Sequence, residues 1–436
     1  MTLFAFPVPQ SATEIATIFC RKPNTIWFDS AREGHPQSKY SYILFNPVSL
    51  TRLVPSIPSP LRGEGQGGGE KERGGDKLPP FQGGWAGYWA YDGSEHLHYY
   101  EELFSFDHAQ KKGWYLCRAA SQDDAEKKFE KIKETVIARS GKAPWRSRRK
   151  YKILNVLDCF VRRCLPGNDK EVKWQSDFTQ QEYQHAVQNI INHILEGDIF
   201  QANLTRKIWA DAPEDFDPFD QYLKLRQTNP APFAAYMNLG SFHILSASPE
   251  SFLSLSANED VITRPIKGTA KSAEDLKKSE KDYAENIMIV DLLRNDLSKV
   301  CEDNSVTVTD LCRIEQFEGL FHLVSDVQGK LRTGKTAKDL LMACFPGGSI
   351  TGAPKEKAME IIREQERSAR GVYCGSLGWI GADGAMETNI AIRTVFYKDK
   401  EIWFHVGGGI TTLSNPQKEY EETELKARAI KGSFLL

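Results

Sequence analysis

FAAYMNLGSFHILSASPESFLSLSA, Phe233 to Ala257, reads as three short strands in succession, FAAYMNLG, FHILSASP and SFLSLSA. Apolar residues alternate or run on within each, and Gly, Pro and Asn mark the breaks. Upstream, IFQANLTRKIWA (Ile199 to Ala210) has the same strand-like texture. It follows EYQHAVQNIINHILEGD (Glu182 to Asp198), where apolar residues near helical spacing end at Gly197, a stop signal. Downstream, a long helix is predicted from about Ala273 to Leu297, and mixed strands and helices continue to the C-terminus. Adjacent strands with helices interspersed, and no regular βαβ units, predict an α+β fold with largely antiparallel sheets. No internal repeat is present.

The 436 residues leave room for a sizeable core, as about three ordinary domains or one large one. We expect residues 1–150 to form an N-terminal part of the fold, 151–179 a connector and 180–436 the functional region. The segment 56–80, SIPSPLRGEGQGGGEKERGGDKLPP, is Gly, Pro, Lys and Glu with almost nothing apolar, and reads as a mobile insertion. Directly after it, FQGGWAGYWAYD (Phe81 to Asp92) sets three glycines among five aromatics, which suits a strand that lets another backbone come close. A charged helical stretch from Asp123 runs into WRSRRK, ending at Lys150, which reads as a solvated connector.

The 56 Lys+Arg against 58 Asp+Glu leave a formal charge of −2, so there is no global cationic field to hold nucleic acid or an anionic membrane. A small-molecule site fits better. The eight cysteines (Cys20, Cys117, Cys159, Cys164, Cys301, Cys312, Cys344, Cys374) show no CxxC pairing, which argues against a disulfide scaffold or a zinc module. The start MTLFAFPVPQ lacks a basic n-region, and no apolar run approaches the ~18 residues of a membrane span. A cytoplasmic protein is expected.

Four patterns can carry chemistry. In KDYAENIMIVDLLRNDL, Asp282 and Glu285 share a helix face beside the stripe Ile289, Leu292, Leu293 and Leu297; KEYEETELKARAI repeats the arrangement with Glu419 and Glu422. Two such faces brought together make the oxygen-rich environment Mg²⁺ prefers, the alternative being solvated helix charge. In TRPIKGTA, Pro265 and Gly268 present Lys267 on a constrained turn, either as a surface lysine or as a nucleophile. FPGGSITGAPKEKAMEII is a Gly-rich turn, Gly347 to Gly352, opening a helix at Pro354, where free amides can receive an anion or simply join loop to helix. HVGGGIT, with Gly407 to Gly409 after a strand, has room for backbone amides to touch a ligand. GKLRTGKT (Gly329 to Thr336) satisfies the P-loop expression, which admits a nucleotide-binding protein as an alternative. Its loop interior has no extra glycine, and FHLVSDVQ before it alternates polar Ser325 and Gln328 as an exposed antiparallel strand does, unlike a buried parallel P-loop strand. Cys374 in RGVYCGSLG reads as a buried strand thiol.

GDIFQANLTR, SASPESF, TRPIKGT, KDYAENIMIVDLLRNDL, FHLVSDVQG, FPGGSITGAPK, RGVYCGSLGW, NIAIRT, GGGI and EYEETELKA occur in the order found in the chorismate-utilising enzymes. The chain resembles the aminodeoxychorismate synthase component I group of that family, relatives of anthranilate synthase component I. The match is strong from about Gln180 to Arg428 and weaker before it, carried there by FQGGWAGYWAYD and SYILFNP. The resemblance implies one large domain of two packed antiparallel sheets flanked by helices, with chorismate and Mg²⁺ in a cleft. It implies Glu285 and Glu422 as metal ligands with Asp282 and Glu419 beside them, and Gly268, Thr269, Tyr373, Arg393 and Gly407, Gly408 and Gly409 as substrate-binding positions. His322 falls at a family active-site histidine. Anthranilate synthases carry Ala where this chain has Lys267. The family mechanism therefore implies that Lys267 attacks carbon 2 of chorismate while Glu250 protonates the departing hydroxyl on carbon 4. Ammonia then adds at carbon 4 to give 4-amino-4-deoxychorismate, the precursor of 4-aminobenzoate and folate. Isochorismate synthases use a lysine where this chain has Gln201, which cannot act as that base. Ammonia is expected from glutamine through a separate glutamine amidotransferase subunit. Anthranilate synthase component I is the alternative within the family, and a non-catalytic protein retaining the fold is a third reading, which intact Lys267, Glu250, Glu285 and Glu422 oppose.

Overall fold

A computed structural model describes residues 1–32, 35–48, 78–140, 172–270, 272–317 and 320–435. Most of the insertion expected at 56–80, the run WRSRRK, Cys159 and Cys164 and most of the connector lie outside the described residues.

Two antiparallel sheets form the framework. The larger runs, in spatial order, Thr2–Val8, Lys112–Ala119, Glu102–Asp107, Tyr40–Leu44, Thr25–Asp29, Phe233–Asn238, Phe242–Ser248, Thr394–Lys398, Glu401–Ile410, Gln201–Asp211 and Gly352–Ala353, with Gln175–Ser176 also on Gln201–Asp211. The smaller runs Ile266–Ala270, Leu320–Lys330, Asp260–Thr263, Ser251–Leu255, Met386–Asn389, Ser376–Gly381, Gly84–Trp89 and Glu95–Tyr100, with Thr307–Phe317 also on Leu320–Lys330. Both sheets mix early and late chain. Thr25–Asp29 pairs with Phe233–Asn238 and Gly84–Trp89 with Ser376–Gly381, so segments on either side of 141–171 share one core.

That core lies between the sheets. Ile26, Leu44, Ala235 and Ile244 of the larger sheet meet Ala86, Trp89, Leu253 and Leu377 of the smaller, all buried. Burying each large apolar side chain contributes about 1.5–3 kcal/mol, which outweighs strand propensity in setting register. A second cluster fills the outer face of the larger sheet under helices Ala12–Phe19, Gln122–Ser140, Pro218–Thr228 and Pro416–Lys431. A third packs Gln180–Glu196 and Lys355–Gln365 on strand Gln201–Asp211. Gln180–Glu196 starts with a Thr179–Glu182 capping box and stops at left-handed Gly197, φ 86°, where the sequence placed its end. The expected close approach at GGWAGYW is real: a Cβ on Gly87 would lie 1.9 Å from His96 O, and on Gly84 2.3 Å from Ile380 O.

Three expectations are corrected. The helix predicted over 273–297 is two, Ala273–Lys277 and Glu280–Ser298, because the Ser279 hydroxyl accepts from Asp282 N and starts a new helix. Cys374 is buried but occupies a turn at φ 61° ahead of strand Ser376–Gly381. In the P-loop look-alike, strand Leu320–Lys330 pairs antiparallel with all its neighbours, yet Ser325 is fully buried, bonded to Asn286 and accepting from Cys312 N at 2.9 Å. The Thr336 hydroxyl is engaged with Asp339 in capping helix Ala337–Cys344. No nucleotide loop is built there. Among the described residues no helix is long and apolar enough to cross a membrane.

One buried ion pair joins the layers beneath the cleft. Arg370 donates from Nη2 to Glu366 Oε1 (2.8 Å) and Asn203 O (2.7 Å), and from Nη1 to Ile350 O (2.7 Å); Glu366 Oε1 also accepts from Thr205 N at 2.9 Å. Both partners are buried. Arg370→Ala leaves Glu366 charged and two carbonyls without a donor, so a loss of about 3–5 kcal/mol is expected in urea unfolding. A loss under about 1 kcal/mol would show that water replaces the guanidinium.

Candidate active site

Lys267 stands on Ile266–Ala270, the end strand of the smaller sheet, rather than on the expected turn; Arg264 and Pro265 separate it from strand Asp260–Thr263. A β-bulge falls between Lys267 and Thr269, which face Leu323 and His322 of the neighbouring strand. Gly268 makes it, at φ 67°, and a Cβ there would lie 2.8 Å from both Asp282 Cγ and Leu276 Cδ2. The bulge re-aims Lys267, whose Nζ donates to Ser349 O at 3.1 Å.

Ser349 belongs to the Gly-rich turn, where Gly348–Ile350 forms a 3₁₀ turn. Leu292 Cδ2 lies 2.7 Å from where a Gly348 Cβ would be, so the turn presses on helix Glu280–Ser298. Instead of offering helix-start amides to an anion, the turn meets the site through Ser349, while Gly352 pairs with Ala202. Glu250 follows strand Phe242–Ser248, with its N–H donating to Ser248 Oγ (3.3 Å) and its carbonyl accepting from Ile390 N (3.1 Å). Burial pushes its carboxyl above the usual 4.5, against the opposing pull of Lys267, a hydrogen bond from Ser349, Arg393 and Lys426. Ser349 thus touches both the amine and the acid.

The carboxylate doublets do meet. Glu285 continues the buried stripe Ile289, Leu293 and Leu297, and Glu419 the stripe Thr423, Ala427 and Ile430. Both faces converge on Gly408 and Gly409; with Gly407 these lie inside strand Glu401–Ile410, opposite Thr205, Leu204 and Asn203, rather than after a strand as expected. From an imagined Cβ on Gly408, Glu419 Oε2 is 3.5 Å away and Glu422 Oε1 3.6 Å; from one on Gly409, Glu285 Oε2 is 3.5 Å and Gln201 Nε2 2.5 Å. At Gly409 a Cβ would displace the Gln201 amide, whereas at Gly408 it would meet the two carboxylates at ordinary contact distance. Lys281 Nζ donates to Glu419 Oε1 at 2.9 Å, which also accepts from Ser414 Oγ at 2.7 Å. Burial raises the Glu285 carboxyl above its usual range, partly offset by Lys267 and Lys281. Glu422 is solvent-accessible although protein atoms surround it; their desolvation acts the same way, but the Lys426 ammonium, 2.7 Å away, prevails and holds it low. Asp282 packs its carboxyl against Gly268 and still adds negative charge at Glu285.

Glu285 Oε1 is buried without a hydrogen bond, and the donors around it are carboxylate oxygens, which suits a hard cation such as Mg²⁺. The cluster is not closed: among the described residues, ligand atoms of three acidic or His groups lie within 4.8 Å of one another only at His193, Glu196 and Asp198, at a helix end.

Around this centre, the buried Tyr373 ring stacks on His405, centroids 5.0 Å apart. Burial holds its phenol well above the usual range. Arg393 adopts φ 49° and its carbonyl accepts from Ala247 N at 3.1 Å. Its side chain is solvent-accessible although protein atoms surround it, as in a concave cleft, with Glu250 and Arg32 as charged neighbours. His322 faces Thr269 across the ladder; burial, Arg32 and Arg393 lower its pKa, which favours the neutral imidazole. Lys267 is the hub, its charge acting on Glu250, Glu285 and Glu422 alike. Sequence reasoning missed Ser349, Lys281 and Lys426. The last two had a signal, i,i+4 spacing from Glu285 and Glu422.

An amine beside a buried acid, a cleft guanidinium and a carboxylate cluster that suits a divalent cation are the equipment of an enzyme for a small anionic molecule. The family described as chorismate binding enzyme matches residues 68–432, and the chain belongs to it. Anthranilate synthase component 1 of Aquifex aeolicus is 34% identical over 387 residues, covering 81% of this chain and 75% of the relative. Aminodeoxychorismate synthase component 1 of Escherichia coli is 42% identical over 267 residues, 59% of this chain and 58% of the relative. The crystal structure of anthranilate synthase component I from Streptococcus pneumoniae superposes with TM-score 0.71 at 29% identity, over 92% of this chain and 93% of that one.

Proposed function

We propose that this chain converts chorismate and ammonia to 4-amino-4-deoxychorismate, acting in the cytoplasm on the route to 4-aminobenzoate and folate. The observation that carries the reading is Lys267, with its Nζ held at Ser349 O beside buried Glu250. The nucleophile must be a free amine and the acid must hold a proton, and transfer of one proton from the Lys267 ammonium to the Glu250 carboxylate supplies both at no change in net charge. The Lys267 amine adds to carbon 2, both ring double bonds shift by one position, and the carbon 4 hydroxyl leaves as water with the Glu250 proton. Ammonia then adds at carbon 4 and the lysine amine departs from carbon 2. Chorismate plus ammonia thus yield the amino product plus water.

Arg393 is suited to bind one substrate carboxylate bidentately, with Tyr373 and the Gly407–Gly409 strand lining the pocket and Gly268, Thr269 and His322 its other side. Glu285 and Glu422, with Glu419 and Asp282 beside them, would hold Mg²⁺. A bound Mg²⁺ supplies charge neutralisation and a template for the other substrate carboxylate. The component 1 names of the relatives support a separate subunit that delivers ammonia from glutamine.

The identity to anthranilate synthase components favours a second reading, with ammonia entering at carbon 2. Purified protein with chorismate, Mg²⁺ and an ammonium salt at mildly alkaline pH decides between them by mass-resolved chromatography. We expect 4-amino-4-deoxychorismate. Anthranilate as the main product would establish the second reading, and absence of turnover would return the chain to a binding role.

A further inference from the structure

Helix Glu280–Ser298 places a cation inside the cluster that the proposed function assigns to a divalent ion. Lys281 Nζ lies 2.9 Å from Glu419 Oε1 and 3.7 Å from Glu285 Oε1, so one ammonium spans carboxylates from two helices. Glu419 and Glu285 are 4% and 8% exposed. At 3.7 Å Glu285 receives charge but no hydrogen bond, and its Oε1 stays buried without a hydrogen-bond donor. Two buried carboxylates facing one strand of glycines repel unless a positive charge stands between them. Glu422 is already neutralised by Lys426, which is also fixed to Gly407 O at 2.7 Å.

We propose that Lys281 is the resident counter-cation of this cluster, and that a divalent ion enters by displacing its ammonium from between Glu285 and Glu419. The inference rests on the metal reading of the cluster. Keeping both cations would set an ammonium against a doubly charged ion a few ångströms away in a partly desolvated site. The Lys281 side chain is 32% exposed, so its flexible stem can swing to solvent without moving the helix. The orphan oxygen of Glu285 marks what Lys281 leaves undone: an ammonium bonded to Glu419 does not also satisfy Glu285, whereas an ion coordinating several oxygens at once does.

Lysine and metal therefore compete, which the full chain can report without turnover. Mn²⁺ is titrated by electron paramagnetic resonance into wild type, Lys281→Met, Lys281→Arg and Glu285→Gln, with Mg²⁺ as competitor. Lys281→Met is expected to bind Mn²⁺ about tenfold more tightly than wild type, and Lys281→Arg not to. In EDTA, Lys281→Met is expected to melt below wild type, and saturating Mn²⁺ to close that gap. Lys281→Gln, measured alike, serves if the methionine variant does not fold. Equal or weaker Mn²⁺ binding in both neutral variants overturns the proposal. If Glu285→Gln leaves Mn²⁺ affinity unchanged, the ion binds elsewhere, and the metal reading falls together with the proposal.

Discussion

Lys267→Ala is expected to lower formation of 4-amino-4-deoxychorismate by about 10³-fold. Without the amine nothing adds at carbon 2, and ammonia must displace a poor hydroxyl leaving group at carbon 4 in one step instead of two. The folded state should survive, because Lys267 is half-buried and its ammonium donates to a carbonyl, Ser349 O. With carbon 2 unguarded, the residual product is expected to shift toward the 2-amino isomer, which chromatography separates from the 4-amino isomer of equal mass. Wild type given chorismate without ammonia should acquire a covalent adduct on the peptide bearing Lys267. Retention of product formation within about tenfold in the variant, with no adduct in wild type, would remove the lysine from the chemistry.

Glu250→Gln should cost turnover about 10²–10⁴-fold, since the amide cannot release a proton to the departing hydroxyl. The same change should stabilise the protein, in a pH-dependent way. Burial is the main cause that lifts the Glu250 carboxyl above 4.5, so the folded state holds its proton more tightly than the unfolded chain does. The protonated acid's contribution is present in full below 4.5 and is lost as pH rises toward the raised folded value. Wild type therefore falls behind Glu250→Gln progressively from 4.5 upward, then stays behind by a constant amount. Thermal melting of both proteins from acid to mildly alkaline pH tests this, and a gap independent of pH would place the titration elsewhere. Opposed effects on activity and stability are expected where a carboxyl is buried for chemistry.

Much of the site was legible because chemistry was written into periodic patterns. Glu285 and Glu419 sit on apolar stripes, at i,i+4 from Ile289 and Thr423, positions where a carboxylate has no structural reason to be. Gly268 and Gly87 announced backbone constraint, and both prove to be points where a Cβ would collide. The errors have local causes. Ser279 interrupts a run whose apolar spacing otherwise continues, and a single capping hydroxyl decided between one helix and two. Ser325 looked solvated because it is polar, whereas Asn286 and Cys312 satisfy it in the interior.

The sequence by itself determined the antiparallel strands of 233–257, the helix ending at Gly197, the carboxylate doublets and the lysine that distinguishes this chain's motif. These follow from side-chain period and backbone allowance, which are local. Only the tertiary structure decided that Ser349, some eighty residues from Lys267, holds that amine, that Lys281 stands between two helices' carboxylates, and that Asp282 packs against Gly268. Those outcomes depend on how buried charges are paired across separate elements. In a low-dielectric cleft that pairing is settled by distances between helices and sheet, which no spacing along the chain encodes.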